Sequence, residues 1–546
     1  MIYQEKENNR FKIAIILILT FIIIYSPWTL GLREIYRMES FLAAMMTEMN
    51  LLPIPQAHGE IVFAPPLFSY FSSIFYKFGV PIEYSLRSFN LIILLLLSTL
   101  SWIIAKSASN KTSAAIAATI TFSSFLTMNK FLLSDMKLLG FLFINIAWIR
   151  WFYLGYVKNI PYAANPQLTQ EEKNKIRNKW INRSWRSIFI FTIPIYFSMG
   201  GIGLFYLFFP LFFMRRPLTL WKRFNARSMW IGLASLTVLI LFLKIYFWDI
   251  SDISFKNYST TFPEYLQHII FFPIKIIAEF MPWSIIAWTP FCAAFLPLER
   301  TPILSKFLRI IFISFFFLFW LNPYFETSDL ILIVMPLAVM TALNYWLVIR
   351  RYGKNLLKII NAFSILFLLV AILGISLYLI PLEISEKYIP STLGFKYVKT
   401  NMINGLVILS FTILISFFII FKKKNRAVWT HLILLSISYA LLNLASVRMY
   451  RDQTYEKRRF ADKLLSVFKD DKPKLIYRDE KTIVYGAFNY LKTKIKILKN
   501  EENIEYNQGK IFLITTDIPT IENIKWTKIS SVIYKEVSYS LWEGVK

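Results

Sequence analysis

The sequence predicts an all-α polytopic membrane protein of about thirteen transmembrane helices, followed by a small C-terminal extracytoplasmic α/β domain. Three observations predict it. Apolar residues fall in continuous runs rather than periodic stripes: Ile13 to Leu32, Leu91 to Ala105 and Leu356 to Ile380 are nearly uncharged. Basic residues recur in every second loop between such runs. From about Val447 the composition changes to short β-branched segments bounded by polar residues.

The apolar runs are long enough, or almost so, to cross roughly 30 Å of hydrocarbon. The chain of 546 residues is 56% hydrophobic and only 17% charged, with a mean hydropathy of +0.49. Burying that much apolar surface in a soluble protein would take a core larger than single domains build. The net charge of +28 is spread through short loops instead of forming one patch. It reads as the positive-inside rule plus a lysine-rich tail, and excludes a nucleic-acid partner.

Placing Lys6, Arg10 and Lys12 in the cytoplasm orders the remaining elements. The first apolar run is expected to be a retained helix. It is too long for a signal peptide, and Leu32-Arg33-Glu34-Ile35 offers no small-residue cleavage site. Basic loops then follow at Lys106–Lys111, Lys158–Arg186, Arg215–Arg227, Arg300–Arg309, Arg350–Lys358 and Lys422–Arg426, with unbroken alternation. That count requires a break near Gly200-Gly201, where two glycines and Pro194 weaken the helix. It puts the loops 33–86, 131–136, 249–280, 322–328 and 381–401 outside, together with the C-terminus. The chain is thus expected to be a multi-pass protein of the cell (inner) membrane, surrounded by membrane lipids.

Two domains are expected: a transmembrane part at 1–446 with a structured outer loop at 33–86, and an extracytoplasmic part at 447–546. In the loop, Glu34 to Asn50 has helical spacing of Leu42, Met45, Met46 and Met49, suited to lying on the membrane surface. In the tail, Arg459–Phe468 reads as an amphipathic helix. Lys474–Tyr477, Thr482–Tyr485, Lys494–Leu498 and Lys510–Thr515 read as strands.

Charges at the ends of spans are costly and so mark candidate chemistry. Arg33, Glu34, Arg37 and Glu39 follow the first span directly, with Tyr36 and Glu39 on one helical face. Asp135 lies in the outward loop between the third and fourth spans. Two carboxylates at one membrane face can supply a general base or hold a divalent cation; equally, Glu34 and Glu39 can simply pair with Arg33 and Arg37. His58 stands in the first outer loop, His268 in an amphipathic stretch before Pro273, and His431 within the last span, where it reads as packed. No zinc-type spacing, phosphate-binding glycine loop or Gly-x-Ser-x-Gly is present. Cys292 is the single cysteine, so neither an intrachain disulfide nor a thiolate metal site is expected. No metal site and no cofactor is assigned, beyond the divalent cation that paired carboxylates leave open.

Several segments in order resemble a family. The acidic segment after the first span is followed by Phe63-Ala64-Pro65-Pro66-Leu67-Phe68-Ser69-Tyr70, then Phe78-Gly79-Val80 and Ser85-Leu86-Arg87-Ser88. Ser134-Asp135-Met136, Met281-Pro282-Trp283-Ser284 and Met335-Pro336-Leu337-Ala338 continue the series, and the tail from Arg459 to Leu513 extends it. Over nearly its full length the chain is similar to the protein O-mannosyltransferase superfamily, which includes the aminoarabinose transferases of lipid A. The resemblance implies a GT-C fold and inverting transfer of a sugar from a polyprenyl-phosphate donor to a lipid A, glycan or protein hydroxyl. It also implies Glu34 as the acidic base, Glu39 as the second glutamate, Asp135 as the second acidic motif and Arg87 as the arginine before the second span. Two family lysines are replaced, by Ala64 and by Met199-Gly200-Gly201. The donor phosphate is then left to Arg33, Arg37, Arg87 or Lys275, with Tyr36 and His58 as further substrate-contact candidates. Two alternatives are a transporter or flippase of lipid-linked sugars and a non-catalytic assembly subunit. The charges gather at span ends and no internal repeat is visible, which favours the transferase.

Overall fold

A computed structural model describes residues 9–25, 34–35, 38–49, 56–57, 60–61, 64–132, 134–214, 226–246, 261–379, 402–421, 428–445, 456–468, 473, 475–479, 485–491, 493–498, 510–519, 524–534 and 537–545. Its helices follow the apolar runs. They are α1 (Asn9–Ile24), α2 (Met38–Glu48), α3 (Leu67–Lys77), α4 (Ile82–Ala108), α5 (Lys111–Ser123), α6 (Phe125–Phe131), α7 (Lys137–Gly155) and α8 (Gln170–Met199). After them come α9 (Gly201–Phe208), α10 (Arg227–Tyr246), α11 (Phe262–Glu279), α12 (Pro302–Leu321), α13 (Val334–Leu379), α14 (Met402–Phe421), α15 (Val428–Asn443) and α16 (Glu456–Leu465).

Among the described residues, four helical stretches are long and apolar enough to cross a membrane: Ile82–Ala108, Lys137–Tyr162, Pro302–Leu321 and Thr327–Ser376. A fifth becomes possible if α11 and Ser284–Phe291, bent by 112°, are one broken span. Shorter apolar helices include Ile15–Ile24, Gly405–Phe421 and Val428–Asn443.

Local sequence sets the helix ends. Thr169 and Glu172 form a reciprocal capping box at the start of α8. That helix stops at Met199 because Gly200 takes φ +66°, a conformation open to glycine, and α9 begins at Gly201. The expected break therefore lies at the two glycines. The region Arg350–Lys358 differs from expectation: the backbone remains helical through it, inside a 46-residue α13. Nothing in Arg350-Arg351-Tyr352-Gly353-Lys354 except one glycine opposes a helix, so charge alone does not interrupt it.

The helices share one apolar core. Trp148 and Trp151 of α7, Trp185 of α8 and Phe307 of α12 are fully buried in it. α7 and α8 lie closely together at Gly140, where an added Cβ would overlap the Met199 side chain.

The chain after α15 builds a five-stranded sheet from β3 (Leu475–Arg478), β4 (Lys494–Ile497), β5 (Lys510–Thr515), β6 (Lys525–Tyr534) and β7 (Val537–Val545); the two-residue strands β1 (Gln56–Ala57) and β2 (Glu60–Ile61) pair between α2 and α3. The sheet order is β4-β3-β5-β7-β6, with β3 parallel to β4 and β5 and the β5-β7-β6 half antiparallel. Alternation sorts its faces: Ile476, Ile495 and Ile514 pack with Phe460 and Leu464 of α16, while Leu475, Ile511 and Leu513 meet Trp526 and Trp542 on the other side. Residues 482–484, expected in a strand, lie outside the described residues, and Tyr485 begins a short helix.

Candidate active site

The N-terminal end of α4 carries the first charged group of the site. Glu83 and Arg87 are one helical turn apart, so both side chains project from the same face. Arg87 is 2% exposed. Its Nε and Nη2 donate to the two carboxylate oxygens of Glu39 on α2, each at 3.1 Å, and Nη2 also donates to the Glu34 carbonyl at 3.1 Å. Glu39 Oε1 accepts in addition from the Ser134 backbone N–H at 3.0 Å. One buried ion pair thus gathers the segment after α1, the start of α4 and the loop holding Ser134-Asp135.

The chain after α15 closes the other side. The Glu34 carboxylate accepts the backbone N–H of Arg458 at 2.9 Å and of Lys457 at 3.3 Å, both in the first turn of α16. An anion there meets the positive end of the helix dipole. Burial pushes the Glu34 carboxyl above the usual glutamate range, and the two N–H donors and the charges of Lys457 and Arg458 offset only part of that. Lys457 Nζ donates to the Ile35 carbonyl, and Arg458 reaches Glu83. Tyr490 donates its hydroxyl proton to Glu83 at 2.8 Å and accepts from the Ile35 N–H at 2.9 Å. Asn489 donates to the Ser40 carbonyl at 2.7 Å.

Asp135 leads on to a second cluster. Its Oδ1 accepts the Lys137 N–H at 2.9 Å, a turn typical of aspartate that starts α7. The Lys137 ammonium is held between Glu326 at 2.7 Å and Asp329 at 3.2 Å. Glu326 and Asp329 are positioned by their own reciprocal capping box ahead of Thr327–Ile333. Nearby, Lys130 on α6 and Lys275 and Glu279 on α11 are within electrostatic reach of one another, and Lys275 stands 5.0 Å over the Phe325 ring.

The structure therefore brings together Glu34, Glu39, Arg87 and the Ser134-Asp135 loop, and puts Lys275 on α11. Arg33, Tyr36, Arg37 and His58 lie outside the described residues. His268 sits on the same helix as Lys275, with Nε2 3.2 Å from the Phe319 carbonyl, and His431 is buried. Among the described residues no three of His, Cys, Asp and Glu are grouped to hold a metal ion. Sequence reasoning missed Glu83, Lys130, Lys137, Glu326, Asp329, Lys457, Arg458 and Tyr490. The Glu83/Arg87 spacing and the Glu326-x-x-Asp329 box were the available signals; the others are brought in by contacts distant in sequence.

A groove of about 1160 Å³ runs along α12. Phe209, Phe213, Ile313, Phe317 and Leu321 line it, with Lys306 and Arg309 toward one end and Asn322 at the other. Arg309 is paired with Glu299 at 2.5 Å.

No family model and no curated protein matches this chain. Solved structures do match its fold. ArnT from Cupriavidus metallidurans in the apo state superposes with a TM-score of 0.64 at 12% identity, covering 97% of both chains. The same protein bound to undecaprenyl phosphate gives 0.63 at 13% identity, covering 98% of both. At such identity the likeness is one of fold: the chain is a mostly helical integral membrane protein with an ArnT-like architecture.

Proposed function

We propose that this protein transfers a sugar from a polyprenyl-phosphate donor to an acceptor hydroxyl at the extracytoplasmic face of the cell membrane, with inversion at the anomeric carbon. The observation that carries this reading is the linkage of Glu34, Arg87, Glu39 and the Ser134-Asp135 loop in one polar network. Support comes from a full-length fold likeness to a protein crystallised with undecaprenyl phosphate. The apolar groove along α12 suits an isoprenoid chain.

In this reading Glu34 is the general base. Its carboxylate takes the proton from the acceptor hydroxyl as that oxygen attacks the anomeric carbon. The bond from that carbon to the phosphate oxygen breaks, and the electron pair leaves with polyprenyl phosphate. Asp135 is the second acid and orients the acceptor. Arg87, with its Nε and Nη2 donors committed to Glu39 and the Glu34 carbonyl, positions the Glu34 backbone. The acceptor is lipid A, another glycan or a protein hydroxyl. The N-terminus is cytoplasmic and residues 447–546 form an extracytoplasmic domain.

Glu34→Gln and Asp135→Asn variants, purified and inserted in the membrane, test the roles. Both are expected to fold and to lose sugar transfer. Full transfer by both variants contradicts the assignment.

A further inference from the structure

Glu34 and Ile35 are held from two sides, and the two sides grip different atoms. From α4, the Arg87 guanidinium reaches the Glu34 carbonyl. From the chain after α15 come four contacts. The N–H groups of Arg458 and Lys457 each donate to one oxygen of the Glu34 carboxylate, the Tyr490 hydroxyl accepts the Ile35 N–H, and the Lys457 ammonium donates to the Ile35 carbonyl. The position of the carboxylate is therefore set by the C-terminal segment.

That segment is itself docked at points flanking Glu34. Lys457 and Arg458 stand in the first turn of α16, whose leading N–H groups have no partner inside the helix. Arg458 pairs with Glu83 and lies 5.3 Å over the Tyr490 ring, and Tyr490 donates to the same Glu83. Asn489 adds a bond to the Ser40 carbonyl on α2. Glu34 is only 9% exposed. Each carboxylate oxygen nevertheless has two lone-pair directions, and one N–H donor occupies one of them. The other is left to take a proton.

We infer that the chain after α15 forms part of the active site: Lys457, Arg458 and Tyr490 are positioning residues that hold the Glu34 carboxylate where it meets the acceptor hydroxyl. The inference rests on Glu34 as the general base and adds what keeps that base in place. The charged and titratable groups around the carboxylate are Lys457 and Arg458 on α16, Tyr490, Glu83 and Arg87 on α4, and Glu39 on α2. Burial works against its charge, while the two N–H donors and the Lys457 and Arg458 cations favour it.

The test uses full-length protein in nanodiscs and two readouts taken across pH. One is labelling of Glu34 by dicyclohexylcarbodiimide, which attacks protonated carboxyls, followed by mass spectrometry. The other is kcat/KM for transfer from a polyprenyl-phosphate sugar. Lys457→Met removes an opposite charge and is expected to move both midpoints up by about one pH unit. Lys457→Arg is expected to restore them. Tyr490→Phe deprives the Ile35 N–H of its acceptor and is expected to lower kcat about tenfold with KM little changed. A loss of folding alone would reduce the amount of active protein and leave both midpoints in place. An unmoved labelling midpoint in folded Lys457→Met, or an unchanged kcat in folded Tyr490→Phe, overturns the positioning role of that residue. A labelling midpoint that moves while the rate profile stays fixed overturns Glu34 as the base instead, and leaves the C-terminal grip on it standing.

Discussion

Arg87 and Glu39 meet side by side, each guanidinium–carboxylate contact at 3.1 Å, with both side chains 2% exposed. No water shell compensates either charge if its partner is removed. The pair is therefore the anchor of α2 on α4, and through the Ser134 N–H it also fixes the loop ahead of α7.

Glu39→Leu and Arg87→Met are each expected to destabilise the fold by about 3–5 kcal/mol, the cost of leaving one buried charge unpaired. The double variant Glu39→Leu/Arg87→Met is expected to regain part of that, because two apolar groups need no partner although the Ser134 N–H and the Glu34 carbonyl lose theirs. Thermal unfolding of the four proteins in one detergent measures it; additive losses would contradict a paired role.

The rate of transfer is expected to fall as pH drops, with a midpoint above the ordinary glutamate range. Burial raises the Glu34 carboxyl, and a general base works only when ionised. The sign for stability is opposite. A carboxyl whose folded pKa exceeds its unfolded value favours the fold most below the unfolded pKa, and that contribution is lost as pH rises through the folded one. A kcat/KM profile whose acidic limb falls at or below the free glutamate value would sink this assignment.

Lys137→Met is expected to cost roughly 2 kcal/mol, since Glu326 and Asp329 then face each other without the ammonium between them. Lowering the pH should recover part of the loss by protonating one carboxylate. Unfolding of the variant at two pH values checks it.

Tyr490→Phe removes the hydroxyl between Glu83 and the Ile35 N–H. The expected loss is about 1–3 kcal/mol for buried groups left unsatisfied, together with faster proteolysis after α15. Unchanged proteolysis would show that this contact does not hold the C-terminal segment.

Much of the architecture is legible in the sequence because the bilayer imposes it. Uninterrupted apolar runs, the Gly200-Gly201 break and the helical spacing of Leu42, Met45, Met46 and Met49 each reflect a local rule. Glu34, Glu39 and Asp135 stand out because charges at the ends of apolar runs need a reason, while Arg87 is marked only by the family resemblance. What local rules miss is pairing over distance. Lys137 meets Glu326 189 positions away, and Glu34 meets Arg458 424 positions away. Strands β6 and β7 were missed as well, since their mixed polar composition resembles a loop until they pair. The helical continuity of α13 through Arg350–Lys358 shows the converse: a cluster of basic residues expected to form a loop brings no break in the backbone.

The most direct measurement is release of free polyprenyl phosphate from a polyprenyl-phosphate sugar by the purified full-length protein, followed by mass spectrometry with and without acceptors. Release that requires an acceptor, with the sugar recovered on that acceptor in inverted configuration, is the expected result. Translocation of the intact lipid-linked sugar across a vesicle membrane, with no transfer to any acceptor in the panel, would contradict the account.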